Sequence, residues 1–448
     1  MFDLLAPALT RLQEKFAALP ALPGPDAESV QKMAAVLERA SERMADNYPY
    51  FHPLYAGQML KPPHPVARAA YAMAMWLNPN NHALDGGRAS SQMEMEAVRE
   101  IATIFGYQNP LGHLTSGGTF ANLEALWVAG QQAPGKRIVA SEQAHYTHSR
   151  ISGVLRLGFS SIAVDSRGRM DLAALEEELK KGDVGTVVVT LGTTATGSVD
   201  PLDRVLELRR KYGFRVHVDA AYGGYFRLIA PTLEAEARSA FQAMAEADSI
   251  VVDPHKHGLQ PFGCGCILFR DPSVGRFYKH DSPYTYFTSE QLHLGEISLE
   301  CSRAGAAAVA LWATQQLLPL VPEGEFAASL AQSCAAARKL HGLIKEDCRF
   351  LAPFPPELDI VIWSVKSVSP EESSRRATTV FQRAAQLDLH LALAQLPVAF
   401  FPPGTWPGCP ENSEAKVTCL RSVLMKPEHL AWIETIFQKL DRATQESS

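Results

Sequence analysis

The sequence lacks the features that mark membrane, secreted and nucleic-acid-binding proteins. It contains no apolar run of about 18 residues, the length that a transmembrane helix needs. Its 42 Lys and Arg residues are outnumbered by 48 Asp and Glu residues, so there is no basic excess for binding nucleic acid. Residues 1–19 include Asp3 and Glu14 and lack the basic start and apolar centre of a signal peptide. We therefore expect a cytoplasmic protein with no membrane or nucleic-acid partner.

Cysteine is also scarce, and its distribution excludes a disulfide scaffold. The seven cysteines are scattered except for Cys264 and Cys266, and such a pattern in a long chain is typical of reduced thiols. We find no complete set of Cys and His residues at metal-ligand spacing, so we expect no metal. With 46% hydrophobic and only 20% charged residues, the 448-residue chain is not disordered.

What the sequence does contain is an alternation of short apolar strands and helical patterns between about residues 100 and 275. The predicted strands are 137–140, 161–164, 184–191, 215–218, 249–252 and 266–269. This alternation predicts an α/β fold with a mostly parallel central sheet and helices on both of its faces.

The flanking regions have different patterns. Apolar residues at helical spacing predict helices within residues 1–45, and a Pro-Glu-Gly stretch at 322–324 precedes a mixture of helical and strand patterns. We therefore expect an N-terminal helical segment (1–90), a large domain (91–322) and a small α+β C-terminal domain (323–448).

Two segments could bind a cofactor that carries a phosphate and a basic nitrogen. Gly117, Gly118 and Thr119 open an amphipathic helix, and the N–H groups and dipole of a helix N-terminus attract anions. Asp219 ends an apolar strand and is followed by Ala220 and Ala221, which are small enough to let a flat group lie beside them. Either segment alone also fits a simple structural role, as a turn or a helix cap.

Two further segments carry a reactive amine and an imidazole. Lys256 follows the strand 249–252 and lies between His255 and His257. Burial and nearby cationic groups lower the pKa of a lysine, which suits one that forms a Schiff base. His145 follows the strand that ends at residue 140 and could stack on an aromatic ligand. Together, the four segments predict a site for pyridoxal phosphate (PLP), with Lys256 as the Schiff-base lysine and Asp219 as partner of the ring nitrogen.

From about residue 90 to its end, the chain resembles the group II PLP-dependent amino-acid decarboxylases. The resemblance depends on Asp253-Pro254-His255-Lys256, the segment 217–224, Ser302-Arg303 and Leu420-Arg421. It implies a fold-type I PLP-dependent enzyme that acts as a homodimer, with the active site at the dimer interface. One departure is Phe120, because many members of the family have Glu at this position.

The resemblance also implies residue roles. His145 would stack on one face of the cofactor ring and Ala221 on the other, with Thr194 near the ring. Arg421 would lie near the active site and bind the substrate. The cofactor-binding set that we predict is Gly117, Gly118, Thr119, His145, Thr194, Asp219, Ala221, Asp253, His255 and Lys256.

The implied reaction converts an L-amino acid to its amine and CO₂, but the sequence leaves the substrate open. Tyr50, Phe51 and His52 resemble the family's pocket wall and favour an aromatic, tyrosine-like substrate. An acidic or diamino substrate is the alternative. A loop tyrosine, Tyr284 or Tyr286, is expected to protonate the product carbon. Two other outcomes stay open at this point: an oxidative deaminase that yields an aldehyde, and a catalytically silent PLP-binding scaffold.

Overall fold

The computed structural model describes residues 2–82, 85–279, 297–409 and 414–445. Some of the helices precede the central sheet in the sequence, some alternate with its strands, and the rest follow its last strand. They are α1 (Phe2–Glu14), α2 (Ala27–Met44), α3 (Pro65–Leu77), α4 (Arg88–Ile104), α5 (Gly118–Gln132), α6 (Thr147–Val154), α7 (Leu172–Leu179), α8 (Leu202–Tyr212), α9 (Ala235–Gln242), α10 (Gly305–Leu317), α11 (Glu325–Glu346), α12 (Pro370–Gln386) and α13 (His429–Gln445).

The strands form two sheets. Those of the central sheet are β1 (Leu111–Thr115), β2 (Arg137–Ser141), β3 (Phe159–Ile162), β4 (Val184–Thr190), β5 (Arg215–Asp219), β6 (Ser249–Val252) and β7 (Gly265–Phe269). Those of the second sheet are β8 (Phe350–Leu351), β9 (Ile360–Val365), β10 (Ala392–Pro397) and β11 (Lys416–Val423).

The central sheet has seven strands in the order β1-β7-β6-β5-β4-β2-β3. Only β7 runs against its neighbours, pairing antiparallel with both β1 and β6. All seven residues of β4 are buried, because helices cover both faces of the sheet and leave no polar side to the strand. The predicted α/β fold with a mostly parallel sheet is therefore confirmed.

The order of the strands brings the polar strand ends to one edge. Strands β4, β5 and β6 are parallel neighbours, and their carboxyl ends lie at Thr190, Asp219 and Val252. Helix α5 begins at the carboxyl end of β1, on the same side of the sheet. Ligands in open α/β sheets bind beyond the carboxyl ends of the strands, so this edge is where a site is expected.

The C-terminal part has a four-stranded antiparallel sheet in the order β10-β11-β9-β8. Trp363, Leu420 and Ile433 belong to the apolar core that this sheet forms with helices α11, α12 and α13. The larger core of the central sheet also reaches Ile360 and Val417, so apolar packing is continuous between the two sheets. The division at residues 90 and 322 stays a proposal.

Two observations bear on partners and ligands. Within the described ranges, no helix combines the length and the hydropathy that crossing a bilayer requires. The same residues contain no group of three His, Cys, Asp or Glu side chains that could hold a metal ion. The cytoplasmic location stays a prediction.

Candidate active site

A cavity of about 470 Å³ opens at the edge of the sheet where β4, β5 and β6 end. Its wall is made by the first turn of α5, by the residues that follow these strands, and by the turn that leads into α6. All ten residues of the predicted cofactor-binding set line it: Gly117, Gly118, Thr119, His145, Thr194, Asp219, Ala221, Asp253, His255 and Lys256.

The first turn of α5 lies tightly against its neighbours. Gly117 has φ +149°, a conformation that favours glycine. A Cβ atom on Gly118 would lie 2.6 Å from Oδ2 of Asp253, so only glycine fits beside this carboxylate. Among the described residues, the N–H groups of Gly118 and Thr119 have no hydrogen-bond acceptor, and no side chain caps the helix. These N–H groups and the helix dipole can bind a phosphate.

Lys256 lies opposite this helix end. Its Nζ atom is 3.1 Å from Oδ2 of Asp253, and Nε2 of His255 is 3.6 Å from the same oxygen. Nδ1 of His255 donates to the carbonyl oxygen of Cys264 at 2.8 Å, which leaves Nε2 for a ligand. Burial lowers the pKa of His255, so a ligand meets a neutral imidazole here. Oδ1 of Asp253 is buried and has no hydrogen-bond partner in the described part of the chain.

Asp219 is a buried carboxylate held by three donors. Its Oδ2 atom accepts from Nε2 of His148 at 2.8 Å and from Nδ2 of Asn122 at 3.3 Å, and its Oδ1 accepts from the N–H of Ala221 at 3.1 Å. Burial raises the pKa of Asp219, but the hydrogen bond from His148 and the charge of Lys256 outweigh burial, and the net pKa is well below the usual range. The carboxylate is therefore ionised. Since each carboxylate oxygen accepts about two hydrogen bonds, Oδ1 keeps one acceptor position.

A second layer of polar side chains fixes Asn122. The carbonyl oxygen of its side chain accepts from Nε2 of His217 at 2.8 Å, and Nδ1 of His217 accepts from the hydroxyl of Ser249 at 2.9 Å. Burial lowers the pKa of His217 to about 3, so this imidazole is neutral. The sequence prediction did not include Asn122 or His148, because their partners lie on distant segments of the chain.

His145 and Ala221 both line the cavity that Asp219 also lines. Nδ1 of His145 lies 2.8 Å from the hydroxyl of Thr147, which fixes the orientation of the ring. Burial lowers the pKa of His145, although the charge of Asp219 opposes the effect. Ala221 is 8% exposed, and Thr194 is an exposed residue of the lining.

Arg421 is buried near this cavity and is only partly paired. Its Nη1 atom donates to the side-chain oxygen of Gln58 at 3.3 Å, whereas Nε and Nη2 have no hydrogen-bond partner among the residues described. Tyr222, which lines the cavity, lies within electrostatic range of this guanidinium. The hydroxyl of Tyr222 donates to Oδ1 of Asp359 at 2.6 Å. Two nitrogen atoms of Arg421 are thus buried without a partner among the described residues, and Arg421 itself is not among the residues that line the cavity.

The predicted pocket-wall residues are elsewhere in this single chain. The ring of Tyr50 lies 4.9 Å from that of Tyr55, and His52 packs edge-on against Trp432 at 4.8 Å. Phe51 is 70% exposed and lines a separate cavity of about 400 Å³ with Lys61 and Lys426. The set of residues that line the first cavity does not include Tyr50, Phe51 or His52.

Tyr284 and Tyr286 lie outside the described residues. Their role as proton donors stays a prediction, and so does the choice between them.

The donor set of the cavity fits PLP. An uncapped helix N-terminus can hold the phosphate, the free acceptor position on Asp219 can bind the protonated ring nitrogen, and the amine of Lys256 can form the Schiff base. An α/β sheet with these groups at the carboxyl ends of its strands defines a PLP-dependent enzyme.

Comparison with known proteins identifies the family. Residues 132–366 match the pyridoxal-dependent decarboxylase conserved domain. The chain belongs to this family of PLP-dependent decarboxylases, so it is a carboxy-lyase that acts on an amino acid.

Two curated relatives and one crystal structure illustrate the similarity. An L-tyrosine decarboxylase of Enterococcus faecium is 28% identical, over 75% of this chain and 72% of the relative. A probable L-tyrosine/L-aspartate decarboxylase of Methanothermobacter thermautotrophicus is also 28% identical, over 71% of this chain and 85% of the relative. The crystal structure of Oryza sativa TDC with PLP and tryptamine has a TM-score of 0.78 at 18% identity, over 98% of this chain and 91% of that one. This last similarity concerns the fold, which is the predicted fold-type I.

Proposed function

We propose that the chain decarboxylates a tyrosine-like aromatic L-amino acid to the corresponding amine, with Lys256 as the Schiff-base lysine. The observation that carries this assignment of roles is the convergence of three groups on one cavity. They are the amine of Lys256, the ionised Asp219 with a free acceptor position, and the uncapped start of α5. Among the described residues, Lys256 is the lysine that lines this cavity. Lys61 and Lys426 line a separate cavity.

Each of these groups has a separate role. The N–H groups of Gly118 and Thr119 bind the phosphate, and Asp219 keeps the ring nitrogen protonated. His255, whose neutral Nε2 can only accept a hydrogen bond, lines the same cavity. When bound, PLP accepts the electron pair that the departing carboxylate leaves behind. His145 and Ala221 enclose the ring between them. His145 is held through Thr147 and turns its other nitrogen to the substrate carboxylate.

The buried guanidinium of Arg421 supports binding of the amino-acid substrate. Its unpaired Nε and Nη2 groups suit a carboxylate, since a planar guanidinium binds carboxylates through two parallel hydrogen bonds. Burial lowers the pKa of Arg421, but an arginine stays cationic at neutral pH. The cationic guanidinium of Arg421 is therefore buried, and the carboxylate of a bound ligand would neutralise its charge.

Tyrosines lie next to Arg421, but Tyr48, Tyr50 and Tyr55 do not line the first cavity, so the names of the relatives are the main support for an aromatic substrate. The hydroxyl of Tyr55 accepts from the N–H of Gln58 at 3.4 Å, and Gln58 in turn accepts from Arg421. Tyr48 and Tyr50 pack on Tyr55 with ring centroids 6.3 and 4.9 Å away. The name of the Enterococcus faecium relative, an L-tyrosine decarboxylase, agrees with this choice.

An acidic substrate is the second candidate. It would require an additional cation for its side-chain carboxylate, and Lys61 and Lys426 are two buried amines on the neighbouring cavity. The name of the Methanothermobacter relative includes both tyrosine and aspartate. A diamino substrate and an aldehyde product are further alternatives that the test below separates.

We also propose that the protein is a homodimer, joined in part through its N-terminal helices. Helix α2 has 18 residues and none of them is buried. Its apolar residues Val30, Met33, Val36 and Leu37 are 49, 49, 53 and 69% exposed and recur at helical spacing. An apolar stripe of this kind is buried in most folded helices, and a second copy of the chain would cover it.

The function is tested with a substrate panel. Purified protein with added PLP is incubated with each standard amino acid, dopa, cysteine sulfinate and diaminobutyrate, and CO₂ and products are measured by mass spectrometry. We expect CO₂ and tyramine from tyrosine, and no CO₂ from the Lys256→Ala variant. CO₂ from acidic or diamino substrates alone would refute the aromatic assignment, and an aldehyde would indicate oxidative deamination. A wild-type protein that binds PLP but releases no CO₂ would be a silent scaffold.

A further inference from the structure

His148 is a buried histidine that no role proposed above requires. It is the second residue of α6 and its side chain is fully buried. Its Nε2 atom lies 2.8 Å from Oδ2 of Asp219. Because an ionised carboxylate only accepts hydrogen bonds, Nε2 carries the proton and His148 is the donor.

The other ring nitrogen gives a reason to look for a role beyond packing. Nδ1 of His148 is buried and has no hydrogen-bond partner in the described part of the chain. A buried nitrogen without a partner loses its hydration and gains nothing in return. A residue that served only to fill space would not need this nitrogen, so the bond to Asp219 is what the imidazole contributes.

The pattern of donors determines which oxygen of Asp219 is free. His148 and Asn122 both donate to Oδ2 and use its two acceptor positions, whereas Ala221 uses one of two on Oδ1. The position left for a ligand N–H is therefore on Oδ1. If the donor from His148 were removed, both oxygens would have a free position and the carboxylate could rotate.

We propose that His148 is a positioning residue, which aims Oδ1 of Asp219 at the ring nitrogen of PLP and keeps the shared proton on that nitrogen. This inference rests on the proposed function, in which Asp219 is the partner of the ring nitrogen. A hydrogen bond from His148 lowers the proton affinity of the carboxylate. Without this bond, Asp219 is more basic and draws the proton away, and a ring without its proton accepts electrons less well.

The test measures the ring nitrogen directly. Apo-protein is reconstituted with PLP labelled with ¹⁵N in the ring, and the ¹⁵N chemical shift gives the degree of protonation. In His148→Leu and His148→Phe we expect the resonance to move towards the value of an unprotonated pyridine. His148→Gln, whose side-chain amide can donate in place of Nε2, should stay close to wild type. The Phe variant fills the buried space of the imidazole with another ring, in case the Leu variant does not fold.

Kinetics supply a second readout. We expect kcat to fall about tenfold in the Leu and Phe variants, the factor that corresponds to the loss of one charge-assisted hydrogen bond. KM should change little, because His148 does not line the cavity. The matched control is Ser152→Ala, one turn further along α6, whose buried hydroxyl also has no partner among the residues described. It should match wild type in both measurements.

The outcomes separate this inference from the function on which it rests. A wild-type resonance in the Leu and Phe variants would refute the role of His148, and so would an equal shift in the Gln or Ser152→Ala variants. If wild-type protein forms no complex with labelled PLP, the proposed function itself fails. A shifted resonance in the Leu and Phe variants alone, with kcat reduced, would support the proposal.

Discussion

Replacing Gly118 with alanine tests whether the tight start of α5 is essential for cofactor binding. The new Cβ atom would lie 2.6 Å from Oδ2, 2.9 Å from Oδ1 and 3.0 Å from Cγ of Asp253. These contacts are shorter than van der Waals separation, so the carboxylate must retreat by about 0.5 Å or more. Asp253 lies 3.1 Å from the amine of Lys256, and its displacement therefore moves the reactive group as well.

The magnitude follows from the cost of an added methyl group in a packed site. Overpacking costs about 1–3 kcal/mol, which corresponds to an affinity for PLP that is roughly 5- to 150-fold lower. The assay is an absorbance titration of apo-protein with PLP, combined with thermal unfolding of the apo-protein. We expect weaker binding in Gly118→Ala together with a lower stability of the apo-protein, because the close contact with Asp253 exists before PLP binds.

Gly130 provides the matched control on the same helix. A Cβ atom there would meet the Cδ2 atom of Leu157 at 2.8 Å, the far end of a flexible side chain that can move away. Gly130→Ala should bind PLP as wild type does. If Gly118→Ala also bound PLP with wild-type affinity, the close approach of Asp253 to α5 would have no functional consequence and the reasoning would be wrong.

Three further predictions concern the dimer, a buried lysine and Arg421. Met33→Glu combined with Leu37→Glu should convert a dimer to monomers in analytical ultracentrifugation. The control Arg39→Glu, which lies outside the apolar stripe of α2, should leave the dimer intact. A dimer that persists in the double variant would contradict the role of α2. Burial lowers the pKa of Lys426 to about 7. At pH values between 7 and the ordinary lysine pKa near 10, unfolding therefore takes up a proton, and the free energy of unfolding should rise from pH 7 to pH 9. Urea unfolding at the two pH values should show a smaller rise in Lys426→Met, and an unchanged rise would contradict this assignment. Arg421→Lys should lower kcat/KM at least about tenfold because it loses the two-pronged carboxylate contact, and an unchanged kcat/KM would exclude Arg421 from substrate binding.

The strands and the ends of the strands could be predicted from local sequence. Predictions for β2, β4, β5 and β6 agree with the structure within about two residues, because buried parallel strands have short, nearly continuous apolar runs. Asp219 and Lys256 were found for the same reason, since a charged residue after such a run stands out.

Strand β1 was not predicted because its sequence lacks the apolar run that is typical of a buried strand. It contains Gly112 and His113, which are unusual in a buried strand. The structure explains both residues: a Cβ atom on Gly112 would lie 2.5 Å from Leu268, and Nε2 of His113 pairs with the buried Glu124 at 2.9 Å. Such pairing depends on the partner segment, so no local pattern indicates it.

Contacts between distant segments could not be predicted from the sequence either. His148 and Asp219 are 71 residues apart, and Tyr222 and Asp359 are 137 apart. The lysines of the second cavity illustrate the same limit. Lys61 and Lys426 come from opposite ends of the chain, and only the fold brings both amines to one cavity.

The most direct test of the account is to locate the lysine that carries PLP. The holoenzyme is reduced with borohydride, which makes the Schiff-base linkage permanent, and is then digested and sequenced by mass spectrometry. We predict that the pyridoxyl group is found on Lys256. Burial lowers the pKa of Lys61 to about 8 and that of Lys426 to about 7, so these two are the natural competitors for the cofactor. A pyridoxyl group on either of them, or on no lysine, would contradict the site described here.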